Sequence, residues 1–483
     1  MSLDLSLNGL IALADTYIWY VASIFLLGGG IYLTYKFKGV QFTHIVDSFK
    51  LSFSGTKSTS DQSVSSGEAF WVGIGARIGI GKIAGVATAI IFGGPGAIFW
   101  LWIFSLISCA SCFAECTLGQ IFKDKKSDGL FHGGPAYYIR DGLKSPKFGA
   151  VIAILLIATY AFGFTGIQSS SATVAFTTAF DFQGNALLFI MLLSSIVGFV
   201  MFRGVKGVAK TLAKIVPIIS VIWFGMVILT VVFNWSYVGD AFRMIFVEAF
   251  NMKSMLWGMA AAMIWGLKRS VFSNTAGIGA IPNVSSAADV RHPIEQGLSQ
   301  SFGVVLDIFI CTGTALIILA SPIATSLIGM EDGVQLVSAS LAAGPFGTLA
   351  PALLSFIILL FVTVSIVSSY SICEVNLKYL TEKPVYSLLL KISMVAVVFF
   401  FGFVPSNLIW SISDIMMAAL GIMNITAVIL LKDYVIEALK DYNRQRAADK
   451  VPEFNKSRIT LDVEGITMWG ERTDVEIKKE PET

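Results

Sequence analysis

Long apolar blocks separated by short polar stretches run through the chain, and the blocks, rather than alternation of single positions, predict its elements. Blocks long enough to cross about 30 Å of hydrocarbon as helix, roughly 20 residues each, lie at about 12–35, 69–90, 97–121, 149–179, 187–203, 212–233, 255–281, 298–320, 347–372, 385–401 and 407–431. A membrane barrel would instead alternate apolar and polar positions along strands of about ten residues. The blocks therefore predict an all-α polytopic membrane protein with eleven transmembrane helices. No basic stretch precedes the first block and no small-residue cleavage pattern follows it, which predicts a retained span and not a signal peptide.

Lys and Arg set the orientation. The loops after the odd-numbered spans hold Lys36, Lys38, Lys50, Lys57, Lys123, Lys125, Lys126, Arg140, Lys144, Lys147, Arg203, Lys206, Lys210, Lys214, Arg291, Lys378, Lys383 and Lys391, against Arg243 and Lys253 on the other side. The positive-inside rule makes the crowded side cytoplasmic. Residues 1–11 are then extracytoplasmic and residues 432–483 form a charged cytoplasmic tail, which an even number of spans would put on the wrong side. That tail begins as a charged helix, Tyr434 to Arg446, and then loses apolar periodicity; it either docks through Trp469 or stays mobile.

Composition agrees: 55% of the 483 residues are hydrophobic, 14% are charged, and the mean hydropathy is +0.75. A net charge of +2 without a basic block excludes nucleic acid as a partner, because phosphate binding needs clustered Lys and Arg. Cys109, Cys112, Cys116, Cys311 and Cys373 sit mostly inside apolar blocks and are read as packing residues, not as disulfides or metal ligands. His44, His132 and His292 lie outside the blocks and far apart, and no Ser-His-Asp set stands at a membrane boundary, so no enzyme is predicted.

Two blocks are interrupted. Gly73-Ile-Gly75-Ala-Arg77-Ile-Gly79-Ile80-Gly81-Lys82-Ile-Ala-Gly85 lies in the second span, and Phe272-Ser273-Asn274-Thr275-Ala-Gly277-Ile-Gly279-Ala-Ile-Pro282 in the seventh. Both combine closely spaced glycines with polar side chains at membrane depth, where unwound backbone survives only if protein or a water-filled cavity satisfies it. Close helix packing would account for the glycines but not for Arg77, Lys82, Lys268 and Arg269, since buried cations are costly unless paired. Broken helices in corresponding positions of two halves point to a transporter site at the midplane. Here each break opens a set of five spans, 69–233 and 255–431, and because five is odd the second set runs inverted. With 12–35 as an additional first helix, this plan resembles the ten-helix core of the leucine-transporter-like fold. A channel would need a continuous polar pore, whereas the polar groups concentrate at the two breaks.

More specific stretches are Ile83-Ala-Gly-Val-Ala-Thr-Ala-Ile90, Gly93-Gly94-Pro95-Gly96-Ala-Ile-Phe99-Trp100, Ala114-Glu115-Cys116-Thr117-Leu118 and Gly133-Gly134-Pro135-Ala-Tyr137-Tyr138. Gln168, Lys268-Arg269, Phe272-Ser273-Asn274, Ala276-Gly277, Pro282, His292-Pro293, Gly297-Leu298, Asp307, Glu374, Asp414 and Leu439-Lys440-Asp441-Tyr442 follow in order. With these the chain resembles, over nearly its whole length, the alanine or glycine:cation symporter family, the sodium:alanine symporters of the amino acid-polyamine-organocation superfamily. The resemblance implies a multi-pass cell-membrane protein without a cofactor, moving a small neutral amino acid on a sodium gradient. It further implies that Gly79, Ile80, Gly81 and Lys82 hold the substrate carboxylate and contribute cation ligands. Phe272, Ser273, Asn274, Thr275 and Gly277 would line the pocket, Gln168 would hydrogen-bond the substrate, and Ile80 and Phe272 would limit its volume.

Three places depart from the family pattern. Gly79-Ile80-Gly81-Lys82-Ile83 stands for Gly-Thr-Gly-Asn-Ile, Ser273-Asn274-Thr275-Ala276-Gly277 for Ser-Asn-Glu-Ala-Gly, and Val364-Ser365 for adjacent hydroxyl residues. The local balance becomes about two charges more positive, and a fixed ammonium repels Na⁺ by roughly 4 kcal/mol at 4 Å in an effective dielectric of 20. On one reading Lys82, with Thr275 and Ser365 near it, replaces a sodium: it pairs with the substrate carboxylate, giving uncoupled transport, or titrates, giving proton coupling. On the other it turns aside to Glu115 or a water vestibule and leaves the sodium site weakened. A sensor that keeps the fold without transport is the third outcome. Glu115 and Glu374 are expected as partners of Arg77, Lys268 or Arg269, while Asp307 and Asp414 fit helix packing as well as transport.

Overall fold

The computed structural model describes residues 6–54, 64–180, 186–250, 255–327, 330, 332–404 and 406–470. Lys57 and Lys253 of the orientation tally, the residues before Ser6 and the tail beyond Gly470 lie outside them. The helices that matter below are α1 (Leu7–Lys36), α2 (Ser66–Arg77), α3 (Ala84–Gly93), α4 (Gly96–Ile121), α5 (Pro146–Phe180), α6 (Ala186–Met201), α7 (Gly204–Phe233) and α8 (Trp235–Ala249). They continue with α9 (Met255–Asn274), α10 (Ile281–Ser285), α11 (Pro293–Leu319), α12 (Gly333–Ala342), α13 (Ala350–Leu380), α14 (Pro384–Phe401), α15 (Ser406–Leu430) and α16 (Lys432–Ala447). Among the described residues eight helices are long and apolar enough to cross a membrane, and nine if α2 and α3, bent by 60° at their break, form one span.

Helices dominate because the apolar blocks leave the backbone no partner but itself. Polar residues at the block edges set the ends. Ser65 and Glu68 close a capping box on α2, the serine hydroxyl accepting from Glu68 N at 3.2 Å and the carboxylate from Ser65 N at 2.9 Å. In α5 the turn Thr159–Phe164 widens to a π-helix, with Thr165 Oγ1 donating to Tyr160 O at 2.8 Å.

The centre is α4 packed along α11 and α9, with α13 against α5 and α1 against α15. The second half of α4, Cys109 to Ile121, is buried throughout. Val221, Ile228, Val232, Phe199, Phe356 and Phe400 are exposed on the outer helices, an apolar belt that water would not tolerate at this extent and lipid requires.

After α16 the chain turns back beneath the bundle and docks. Trp469 Nε1 donates to Gln120 O at 2.9 Å, Phe454 N to Arg291 O at 3.0 Å, and Gln445 exchanges two hydrogen bonds of 2.9 Å with the Glu453 backbone. Of the two sequence alternatives for the tail, docking through Trp469 is the one seen, as far as Gly470.

Candidate functional site

Each break is a short unwound stretch whose backbone groups find protein partners. After Arg77 the chain extends through Ile78 and Gly79, makes one 3₁₀ turn at Ile80–Lys82 and enters α3. Ile80 N donates to Gln168 Oε1 on α5 at 2.9 Å. After Asn274 three residues take positive φ: Thr275 at 53°, Gly277 at 82° and Gly279 at 79°. Glycine adopts this without a Cβ clash, whereas a β-branched threonine is strained there. Glu115 on α4 gathers the freed donors, accepting from Gly277 N at 3.2 Å, Gly279 N at 3.0 Å and Asn424 Nδ2 at 2.7 Å. Arg77 Nε donates to Asn274 O at 2.9 Å, so the ends of α2 and α9 are tied across the bundle.

The two breaks meet at Lys82. Its side chain is fully buried, and its ammonium donates to Ser273 O at 3.0 Å and Ser273 Oγ at 2.7 Å while forming an ion pair with Asp307 on α11. The Ser273 hydroxyl in turn donates to Asp307 Oδ1 at 3.0 Å, and Thr314 Oγ1 donates to Lys82 O at 2.7 Å. A buried charge pair persists only when hydrogen bonds satisfy its remaining polar atoms, and this ring supplies them.

Aromatic rings close the region. Phe272 stacks on Phe164 with centroids 4.6 Å apart and lies 4.6 Å from Trp410. It packs directly over Gly81, where a Cβ would come within 2.6 Å of its ring. A Cβ at Gly79 would lie 2.6 Å from Gln168 Nε2 and 2.8 Å from Ser365 Oγ, and these two side chains share a 2.9 Å hydrogen bond.

The structure thus gathers Gly79, Ile80, Gly81, Lys82, Gln168, Phe272, Ser273 and Ser365 in one place. Val364, beside Ser365, packs against Gly75 instead. The Asn274 amide turns toward Ser105, Ser108 and Ser270, Thr275 Oγ1 bonds Asn274 O at 2.8 Å, and Gly277 N is held by Glu115. These three support the break more than they face it.

The charges pair otherwise than the sequence suggested. Lys82 goes to Asp307 and not to Glu115. Glu374 accepts from Ser387 Oγ at 2.6 Å, Lys268 pairs with Asp15 at 2.6 Å, and Arg269 with Asp414 at 2.5 Å. Sequence pattern gives each residue's depth but not which helix faces which, so Asp307 as the partner of Lys82, and Phe164 and Trp410 as the stack, were missed. An isolated carboxylate inside an apolar block was the available signal for Asp307. Cys112, Glu115 and Cys116 bring possible ligand atoms within 4.8 Å of one another, but the Glu115 oxygens already serve three N–H donors and Cys112 Sγ takes Arg77 Nη2 at 3.1 Å.

Comparison with known proteins adds an independent line. The sequence profile of the Sodium:alanine symporter family matches residues 5–456. A Bacillus subtilis (strain 168) protein named "Probable sodium/glutamine symporter GlnT" is 36% identical over 466 residues, 96% of either chain. The sodium/alanine symporter AgcS of Methanococcus maripaludis is 33% identical over 449 residues, 90% of this chain and 97% of that one. Among solved structures, MhsT in complex with L-phenylalanine superposes with a TM-score of 0.54 at 14% identity, covering 81% of this chain and 93% of that one, a likeness of fold.

Proposed function

The chain belongs to the sodium:alanine symporter family, a family of transporters and not of enzymes, and from that premise we propose that it carries alanine or glycine across the cell membrane by alternating access, with the two breaks as its binding site. Cation-coupled amino-acid transport by a multi-pass membrane protein is the frame that the family supplies.

Eleven spans follow if α6 and the broken pair α9–α10 join the nine described above. Each half then holds five, the first opened by α2–α3 and the second by α9–α10, an inverted repeat preceded by α1. The fold likeness to MhsT supports this plan. The lysines and arginines near the docked tail support a cytoplasmic tail and an N-terminus outside.

One observation carries the functional reading: a buried lysine from the first break lies on the Ser273 carbonyl and hydroxyl at the second and on the Asp307 carboxylate. Carbonyl, hydroxyl and carboxylate oxygens are the kind of donors that a hard cation takes, and here they surround the ammonium. Lys82 therefore stands in for one cation, as a fixed charge that travels with the protein and not with the gradient. The ring of Phe272 packed against Gly81 limits the size of anything bound at the breaks, which favours alanine and glycine over glutamine. The free end of the substrate carboxylate faces the start of α3, where helix dipole and Lys82 are both positive.

The test is uptake of labelled alanine and glycine by the purified protein in liposomes under an inward gradient of Na⁺, of H⁺, or of neither. Uptake indifferent to Na⁺ in the wild type and sodium-dependent in Lys82→Asn is the expected result, with stimulation by H⁺ marking Lys82 as the titrating group. Uptake driven by Na⁺ alone in the wild type overturns the replacement. Binding without uptake under any gradient would make the protein a sensor.

A further inference from the structure

The π-helical turn of α5 stands directly behind the aromatic stack. Thr165 reaches Tyr160 O, five residues back, with its backbone N–H and again with its hydroxyl at 2.8 Å. The threonine hydroxyls elsewhere on α5, those of Thr159, Thr173 and Thr177, reach back four residues, to Leu155, Ser169 and Thr173. The Thr165 hydroxyl therefore doubles a bond that marks the wide turn. One extra residue in a turn rotates everything before it by about 100° relative to everything after it. Phe162 shows where the extra residue goes: at 45% it is the one exposed side chain between Thr159 and Thr173. On the buried side Tyr160 stacks on Phe164 with centroids 4.6 Å apart, Phe164 stacks on Phe272 at 4.6 Å with the planes 10° apart, and Phe272 packs over Gly81. The helix α15 meets both ends of this column, with Trp410 against Phe272 and with Ser413 against the turn, where a Cβ at Gly163 would come within 2.7 Å of its Oγ.

Single π-turns are rare inside α-helices and recur at functional sites, where the displaced register is what the site uses. Closing this one would carry Tyr160 about 100° away from Phe164 and leave the Phe164 ring without its backing. Resting on the amino-acid transport reading above, we propose that Thr165 is a positioning residue for the selection of substrate by size. Its hydroxyl holds the wide turn, the turn holds Phe164 between Tyr160 and Phe272, and Phe164 holds the Phe272 ring down over Gly81. Thr165 itself touches no substrate. Without the hydroxyl the turn loosens, Phe272 gains room to tilt away from Gly81, and an amino acid with one methylene more than alanine fits at the breaks. Tyr160 O keeps the Thr165 N–H in such a protein, so no buried acceptor is stranded and the helix persists.

Uptake of labelled alanine and of labelled 2-aminobutyrate into liposomes by the full-length protein tests this, with KM and kcat taken separately for each. The wild type is expected to prefer alanine in kcat/KM by roughly tenfold or more, the scale on which one methylene is discriminated. Thr165→Val, which keeps the shape and removes the hydroxyl, is expected to raise KM for alanine and to bring that preference below about threefold, and Thr165→Ser is expected to restore both. Phe164→Leu is expected to relax the preference in the same way, and Thr165→Val added to it to change nothing further, because both act through one ring. Thr165→Ala serves in both places if Thr165→Val does not elute as a folded monodisperse species. A hydroxyl-free variant that loses kcat alike for both amino acids, with KM and preference unchanged, makes the hydroxyl structural only and overturns the proposal while leaving the transport reading intact. A full further loss of preference in the double variant, or a wild type without preference, does the same. Failure of the wild type to carry either amino acid overturns the transport reading and the selection with it.

Discussion

Lys82 and Asp307 face each other with neither side chain open to water, and such a pair is held less by its own attraction than by the absence of an alternative. Removing one partner strands the other. Lys82→Met and Asp307→Asn are each expected to lower stability by about 3–5 kcal/mol, while the double variant loses less than the sum of the two. Thermal unfolding of the four proteins in one detergent measures this, and simple additivity would show that the two charges do not depend on each other. Steric demand makes a second residue-scale prediction. Gly81→Ala drives a methyl into the Phe272 ring at 2.6 Å, whereas at Gly85 the nearest atom to a new Cβ is Arg269 Cδ at 3.7 Å. Uptake should fall more than tenfold in the first variant and stay within about twofold in the second. The anomaly of Lys82 was legible in the sequence, because a lysine inside an apolar block needs a reason. Its partner was not, since the meeting of α3's approach with α11 is decided by packing.

The elements themselves were largely legible, because a continuous apolar block is a strong and local signal. Where the boundaries differ the cause is amphipathicity. The block read at 212–233 belongs to a helix that starts at Gly204, its first turns carrying Lys206, Lys210 and Lys214. Block counting also passes over α8, a 15-residue helix with charges among its apolar positions that is too short to span. The breaks were visible as glycine-rich interruptions, but not the device that maintains them. Glu115 was expected to pair with a cation; it instead gathers the N–H groups that the unwound chain releases. Glu115→Ala leaves Gly277 N, Gly279 N and Asn424 Nδ2 without their acceptor, each worth about 1–3 kcal/mol when buried. Glu115→Gln keeps one carbonyl acceptor and should lose less, so unfolding temperatures ordered wild type, Gln, Ala would bear this out. Equal losses would point to the charge and not to the hydrogen bonds.

Across the whole molecule the docked tail, as far as Gly470, bears on the far ends of both broken helices. Trp469 holds Gln120 O, the Gln120 amide reaches Ser285 O at 2.6 Å and Ala288 O at 3.1 Å, and Asp289 N donates to Val64 O at 2.9 Å just before the α2 cap. Beside this path His292 caps α11: its Nδ1 accepts from Ile294 N at 3.2 Å, its Nε2 faces Asp441 at 3.6 Å, and Tyr442 and Phe454 pack on the ring. Burial pushes its pKa below the ordinary 6.5, with the Asp441 carboxylate pulling it part of the way back. A histidine that binds its proton less readily when docked than when released favours docking above pH 6.5, and that contribution is lost as pH falls from there through the docked value. Protonation would also place a hydrogen on the nitrogen that accepts from Ile294 and a cation at a helix N-terminus, both unfavourable. Protease digestion of the tail between Ala448 and Gly470 should therefore speed up between pH 7.5 and pH 5.5. His292→Asn keeps an N-cap acceptor but does not titrate, and should flatten that dependence. If the variant retains the wild-type pH profile, the proton that loosens the tail goes elsewhere, and Asp441 with its arginine partners Arg444 and Arg458 becomes the next group to substitute.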